Sequence, residues 1–535
     1  MFAAPRLSLC MIVRDSSRTL TVCLDSIRPW VDEIIVVDTG SIDDSRQVAS
    51  HFGAIVCEFP WCDDFSAARN ESLRHATGDW IFWMDSDDTI SAENGRKLCD
   101  LARGAATTCP TAYVMQVNCP GPPDSTDCTV VDHVKMFRND ERLRFEGRIH
   151  EQILPAIRRI NGSLEWTDIY VTHSGAEHSP EAKRRKQQRD LRLLEMELAE
   201  RPEHPFVLFN LGMTYADMDQ PHTAAEYLRK SLLTASPEES HVRKVYALLV
   251  GCLVQMGDDA EARRCLEQGQ RLFPDDAELH FRRGILEQHA GNHQHAVESY
   301  RRAIESRRER HFASRDRGIT GHKARHNLAV VYREIGRLDL AELQWRLALS
   351  EQPSYRDGWY GLIDSLLDQR KYMTLEVEIE MAIGDGLPAN EIAYAQARLS
   401  VQRGDIDSAI AILDCEIATG NEIAAPLRLK CQILFEHRPM DQAIAALKQL
   451  CDLCPEDGAV WHNLGTAYQK AGHIELAIPC FEKSLVIRPA SKPTLMQLDH
   501  ARHALRKTNP NRGTEKDLCD DLPNDCRNDQ LAVSV

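Results

Sequence analysis

Residues 78–90 read GDWIFWMDSDDTI. Five apolar residues, Trp80 to Met84, run directly into Asp85-Ser86-Asp87-Asp88. A short apolar run of this kind is a buried strand. Buried strands seldom end on three carboxylates in four residues, because clustered anions repel and are costly to desolvate. Either water solvates the acids on an exposed turn, or a divalent cation gathers them, since hard cations take carboxylate oxygens. The surrounding chain decides between the two.

Upstream, short apolar runs alternate with helical stretches. LSLCMIV (7–13) is a strand, Ser16 to Arg28 a helix, and DEIIVVDTGS (32–41) a strand with a glycine turn. DDSRQVASHFG (43–53) is a helix, AIVCEF (54–59) a third strand, and DDFSAARNESLRHATG (63–78) another helix. Such alternation builds a layered α/β sheet with parallel pairing. AYVMQV, HVKMFRN and DIYVTHSG follow as further strands, partly antiparallel. In an open parallel sheet the polar residues after each strand lie on one edge, where ligands bind. Arg14 and Asp15 follow the first strand, Asp38 the second, Trp61 and Asp63 the third, and Asp85 to Asp88 the fourth. Convergence on one crevice favours a metal over water alone, and Asp88 is left as a solvated turn residue. No GxGxxG and no P-loop lysine motif is present.

The chain has 535 residues, enough for more than one domain. Its net charge of −17 argues against nucleic acid, which binds through Lys and Arg. No apolar run reaches the length of a membrane span, and the N-terminus makes a poor signal peptide. The 17 cysteines are scattered and odd in number, which suits a reducing cytoplasm, with a peripheral place at the inner membrane face left open. The CxxC pair Cys451 and Cys454 lies in a helical repeat and reads as packing.

Past residue 205 the period changes. Between Val460 and Pro489, the residues Trp461, Leu464, Gly465, Tyr468, Ala477, Phe481 and Pro489 carry a pattern that resembles the tetratricopeptide repeat. Steps of 34 residues back from Trp461 reach Leu427, Ala393, Trp359 and Arg325, and earlier copies open at His280, Tyr246 and Leu208. About eight copies result, with 307–321 as an insertion that changes the step. Each copy is a helix hairpin that buries its apolar face only against its neighbours. His289, His293 and His295 fall in an exposed repeat turn. The expected organisation is an α/β domain over 1–176, a connecting helix over 177–204 and an α-solenoid over 205–491. A capping helix over 492–507 and a disordered acidic tail over 508–535 complete it.

The segments CMIVRDSSRTLTVCLDSI (10–27), EIIVVDTGSIDDS (33–45), FSAARNESL (65–73) and DWIFWMDSDD (79–88) together resemble a family 2 glycosyltransferase of the GT-A fold. A looser match runs through FRNDERLRFEGRIHEQI (137–153) and VTHSG (171–175). Fused to repeats, the chain is similar to a bacterial subgroup that includes peptide S-glycosyltransferases. The resemblance implies a GT-A-like, mixed but mainly parallel sheet and an inverting transfer from a nucleotide-sugar donor, UDP-linked. It places Asp38 on the nucleotide base, Asp85 near ribose and metal, and Asp87 on the metal as the second acid of a DxD motif. Arg14 and Arg69 join the donor site, Glu151 stands where a catalytic base is expected, and His173 or His150 supplies a nitrogen ligand. The cofactor implied is Mn²⁺ or Mg²⁺. The repeats would take a protein, peptide or glycan acceptor, a protein partner, or a second copy. Two other readings compete: a non-catalytic repeat scaffold carrying a relic domain, and a nucleotidyltransferase, which MIVRDSSRTL disfavours by lacking glycine.

Overall fold

The computed structural model describes residues 6–104, 111–121, 128–174, 179–306, 312, 314–384, 388–419 and 422–508. Two compact units divide the chain, Met1–Gly361 and Leu362–Val535. The expected acidic tail lies almost wholly outside the described residues.

The first unit opens with four parallel strands: β1 (Leu7–Val13), β2 (Glu33–Asp38), β3 (Ile55–Glu58) and β4 (Trp80–Trp83). β1 lies between β2 and β4, with Val13 opposite Asp38 and Cys10 opposite Trp83. Apolar residues cover both faces of these strands, as a parallel sheet layered by helices requires. α1 (Ser17–Ile27) and α2 (Ser45–His51) pack with one face, whose core includes Leu9, Met11, Trp80 and Phe82. α3 (Phe65–His75), capped by Asp64, covers β1 and β2 from the other. Gly78 is needed where β4 begins, because a Cβ there would meet Ser8 Oγ at 2.5 Å.

Beyond β4 the sheet turns antiparallel. β5 (Asp88–Thr89), β6 (Ala112–Pro120), β7 (Cys128–Arg138) and β8 (Leu164–His173) give the order β3-β2-β1-β4-β7-β6-β8-β5. β6 and β8 point the same way as β1 to β4, so their carboxyl ends share one edge. Two helices, α4 (Ala92–Arg103) and α5 (Leu154–Arg159), stand outside the sequence-based expectation.

α6 (Pro180–Glu200) follows, with Ser179 accepting from the Ala182 N–H at its start. Its Leu193 and Leu194 are buried with Ile149, Val207 and Leu211, and Trp61 and Phe65 pack against them. Arg192 grips Asp63 with two bonds of 2.6 and 2.8 Å. Asp63 is therefore an anchor for α6, not a member of the crevice.

Four helix pairs complete this unit: α7 (Pro205–Asp217) with α8 (Pro221–Thr234), α9 (Val242–Gln255) with α10 (Asp259–Leu272), α11 (Ala277–His289) with α12 (His293–Glu305), and α13 (His322–Glu334) with α14 (Leu338–Glu351). α15 (Arg356–Asp368) spans the division. The insertion does more than change the step. Its β9 (Arg315–Asp316) pairs antiparallel with β7, Thr129 opposite Asp316 and Val130 opposite Arg315. Phe312 packs on Trp166 at 5.1 Å between ring centroids, and Arg315 pairs with Asp132 at 3.2 Å.

The second unit continues with α16 (Tyr372–Gly384), α17 (Ala389–Gln402), α18 (Ile406–Thr419), α19 (Ala424–His437), α20 (Met440–Leu453), α21 (Gly458–Lys470), α22 (Ile474–Ile487) and α23 (Lys492–Thr508). α23 packs on α22, with Leu498 and Ala501 in the shared core. Cys451 is buried in that core and Cys454 packs at its border, as helix packing implies. The crossing of α21 and α22 is tight: a Cβ on Gly465 would come within 2.7 Å of the Phe481 ring, and Ala477 is fully buried. Ala477→Leu should therefore destabilise the terminal repeats by about 1–3 kcal/mol through overpacking. Urea denaturation of the full chain, followed by far-UV circular dichroism, measures the loss.

Candidate active site

Asp38 closes β2 and is buried. Its Oδ1 accepts from the N–H groups of Gly40 and Ser41 at 3.1 and 3.0 Å, and Arg46 Nε lies 3.5 Å away. Its Oδ2 is buried with no hydrogen-bond partner among the described residues. Asp15 Oδ1 accepts from the Ile42 N–H at 2.8 Å, and Asp43 from that of Ser17 at 2.9 Å, so the loops after β1 and β2 are laced together. Arg14, in the first of these loops, is exposed.

At the end of β4 the acids part company. Asp85 Oδ1 accepts from Arg69 Nη2 at 2.6 Å, and Arg69 Nε donates to Glu151 Oε1. Arg69 is buried, with its guanidinium 4.3 Å from the Trp83 ring centre. It is thus no surface ion-pair residue but a fixed cation bridging two carboxylates. Desolvation works against ionisation of Asp85, yet Arg69 and Lys135 hold its carboxyl well below the usual range. Glu151 Oε2 makes no hydrogen bond among the described residues.

Asp88 corrects the expectation of a solvated turn. It is fully buried, and its Oδ2 accepts from Lys135 Nζ at 2.9 Å, itself only 1% exposed. The same oxygen accepts from the Asp85 N–H at 3.1 Å, while Oδ1 lies 3.0 Å from His173 Nδ1. Pairing of β5 with β8 sets Asp88 opposite His173. Lys135 was not visible in the strand pattern. Tyr113 pairs with Met136 and Val114 with Val134, so Lys135 is the extra residue of a bulge, which re-aims a side chain. Its signal in sequence is a polar interruption, Asp132-His133 and Lys135, within an apolar strand.

Asp85, Asp88 and His173 bring ligand atoms within 4.8 Å of one another. Both Asp88 oxygens already accept bonds, so Asp88 fits the part of an orienting group. Asp87 Oδ1 is 3.4 Å from His173 Nδ1, and the Asp87 main-chain oxygen accepts from the Ser174 N–H at 3.1 Å. Desolvation raises the Asp87 carboxyl above its usual range; His173 opposes this, while Asp85 and Asp88 add to it. An under-neutralised carboxylate of this kind suits a cation. The bond to Asp88 raises the His173 ring, against desolvation. Asp85, Asp88 and His173 are the group whose atoms lie close enough to share a cation, and Asp87 stands beside it against His173 Nδ1. Burial lowers the basicity of His150, which feels Asp190 of α6 and Glu151 most among nearby charges.

The loop carrying Glu151 is itself held by α6. Glu197 is buried and accepts from the Arg148 N–H at 2.9 Å, and Arg148 also pairs with Glu200. Phe65 N–H donates to the Arg148 carbonyl at 2.8 Å.

Comparison with known proteins identifies the two parts of the chain. Residues 8–143 match glycosyl transferase family 2, and residues 207–235, 253–310 and 458–491 match tetratricopeptide repeats. The chain joins a family 2 glycosyltransferase domain to tetratricopeptide repeats. It is 29% identical over 367 residues to a TPR repeat-containing protein of Synechococcus elongatus, covering 66% of this chain and 77% of the relative. It is 28% identical over 299 residues to the SPbeta prophage-derived glycosyltransferase SunS of Bacillus subtilis, covering 53% and 67%. An uncharacterized glycosyltransferase of Rickettsia felis is 30% identical over 88 residues, 16% of this chain and 31% of that one. The acids Asp38, Asp85, Asp87 and Asp88 fall within the matched stretch. No helix among the described residues is long and apolar enough to cross a membrane.

Two outcomes follow for the glycosyltransferase domain. Lys135→Met should cost about 3–5 kcal/mol of stability, because it leaves Asp88 buried without its ammonium partner; adding Asp88→Leu should restore part of it. Tryptophan fluorescence in urea measures both. Burial, with Lys135 nearby, pushes the His133 ring from 6.5 down to about 4. The unfolded state then binds a proton that the folded state refuses, so stability present above pH 6.5 should fall as pH drops toward 4. Melting temperatures of wild type and His133→Gln across that range should converge at low pH.

Proposed function

We propose that this enzyme transfers a sugar from a UDP-linked donor to an acceptor hydroxyl or thiol, inverting the anomeric carbon. The observation that carries the reading is the pairing of two acids on one sheet edge. Asp38 offers a buried, unpartnered Oδ2, and Asp87 meets the His173 ring at 3.4 Å. The first suits an N–H of the nucleobase, and the second suits the metal of a diphosphate.

Asp38, with Arg14 from the neighbouring loop, receives the nucleoside. Arg69 fixes Asp85 toward the ribose and keeps Glu151 in register. Asp88 orients His173, so that Asp85, Asp87 and His173 would hold Mn²⁺ or Mg²⁺. When bound, such an ion neutralises charge growing on the departing diphosphate. The acceptor heteroatom bonds to the anomeric carbon from the face opposite the leaving group. The bond from that carbon to the phosphate oxygen breaks, and UDP leaves with the electron pair. Glu151 Oε2 takes the acceptor's proton, which requires hydrogen-bond reach. On this reading the catalytic domain spans 1–176, α6 joins it to the repeats, and the repeats receive a protein or peptide acceptor. A cytoplasmic location fits a nucleotide-sugar donor.

Asp87→Asn preserves shape but removes a charge, and an amide oxygen is a weaker ligand for a hard cation. Turnover should fall about 10²–10³-fold, as for other lost electrostatic groups, with folding unchanged. UDP release from a panel of UDP-sugars, measured across a Mn²⁺ titration with circular dichroism as control, decides it. Equal metal-independent release by both proteins would remove the metal site. No release by wild type from any nucleotide-sugar would favour the scaffold alternative.

A further inference from the structure

A cavity of about 570 Å³ lies within the first unit, between the catalytic sheet and the repeats. Pockets that take ligands commonly span about 300–1,000 Å³. Its floor is the sheet: Gln116 and Asn118 of β6, Val130 of β7, and Asp168 and Tyr170 of β8. Its roof is Arg243 and Lys244 of α9 with Asp276 to Glu278 at the start of α11. The insertion closes one side, through Ser314, Ile319 and Thr320. The insertion, tied to β7 by β9, thus supplies one wall of the cavity.

Its position bears on the chemistry. Asn118 pairs with Thr172, Thr172 with Thr89, and the next residues, His173 and Asp88, pair with each other. At a strand spacing of about 4.8 Å and a rise of about 3.3 Å, Asn118 lies about 6 Å from His173 along the backbone. The cavity thus lies near the carboxyl ends of β6 and β8, on the face that Tyr170 presents, opposite the face that His173 shares with Val171.

The lining selects the occupant. Lys244 is paired with Glu278 at 2.8 Å, Arg243 with Asp276 at 3.3 Å, Arg315 with Asp132 at 3.2 Å and Lys323 with Asp316 at 2.6 Å. The lining as a whole sets Arg243, Lys244, Arg315 and Arg317 against Asp168, Asp275, Asp276, Glu278 and Asp316, a balance that disfavours a second nucleotide or an anionic headgroup. Between the pairs stand amides and hydroxyls, of Asn118, Ser306, Ser314 and Thr320, and small apolar surface from Val130, Ala277 and Ile319. This alternation of neutral polar and apolar groups matches a polypeptide backbone with its side chains. Tyr170 is the one aromatic ring among the lining residues, a thin platform for an oligosaccharide. The roof comes from first helices of adjacent repeats, which form extended binding surfaces.

We infer that this cavity seats an extended polypeptide segment flanking the residue that accepts the sugar. The inference rests on the glycosyltransferase reading above for its role, and on the lining alone for its ligand.

The test uses the full chain and a pool of fluorescein-labelled nonapeptides, each with a central Cys, Ser or Thr and randomised flanks. Thr320→Trp fills the cavity from an exposed turn, and Asn118→Trp fills it from the floor. Wild type should bind the pool by fluorescence anisotropy, and each filling variant should weaken binding about tenfold or more. Peptide KM should rise likewise with kcat little changed, because ground-state binding is what is removed. UDP release to water, without peptide, should stay at the wild-type rate, and melting curves should match. Unchanged peptide binding in both folded variants overturns the inference. So does absence of binding by wild type, or a matching loss for maltohexaose but not for peptide. If wild type releases no UDP yet loses peptide on filling, the transfer reading fails and the peptide site stands.

Discussion

Asp88 and Lys135 face each other at 2.9 Å with almost no exposure to water. Taking either charge out of water alone would cost several kcal/mol, so each is tolerable only with the other present. Their meeting needs a bulge in β7 and an acid one residue past the presumed ligand position. Once formed, the pair fixes much else. Asp88 also receives the Asp85 N–H and His173 Nδ1, which shapes the turn between β4 and β5. The Lys135 ammonium lies 3.7 Å from the Trp83 ring centre, and Arg69 packs against the same ring. Two cations stacked on one indole thereby distribute positive charge beneath a row of carboxylates. The acids are held apart in distinct jobs instead of repelling as a cluster.

Arg69 takes Asp85 and Lys135 takes Asp88, so the two cations separate two of the three acids, while Asp87 meets the His173 ring at 3.4 Å. At Asp38 two main-chain N–H groups and the Arg46 guanidinium hold one oxygen and leave the other bare.

Much of this was legible in the sequence. The four apolar runs that became β1 to β4 need no long-range information, because apolar content and flanking turns suffice. The repeats announce themselves through small residues at a fixed period, and Gly465 and Ala477 do lie at a helix crossing. The acids of residues 85–88 stood out because charge follows hydrophobicity so abruptly. What stayed hidden depends on contacts between distant segments. Asp88 and Asp87 are neighbours of identical type, and only the pairing of β5 with β8 tells which one is buried. Lys135 gains its partner from a one-residue bulge, which no periodicity reports. Asp63 sits after a strand, like Asp38, yet belongs to Arg192 of a helix far along the chain.

β9 has a consequence for how the protein is made. Thr129 pairs with Asp316, so part of the catalytic sheet is completed by a segment from within the repeats. Synthesis at about 5–20 residues per second separates those partners by roughly ten to forty seconds. During that interval the amino-terminal half of β7 has emerged with one flank of its backbone unpaired beyond the reach of β4. The nascent domain must wait in this state for three repeats to be translated before its last strand arrives. Chaperone engagement, or pausing of the ribosome past this point, then becomes part of assembling a transferase whose catalytic sheet is finished by its own repeats.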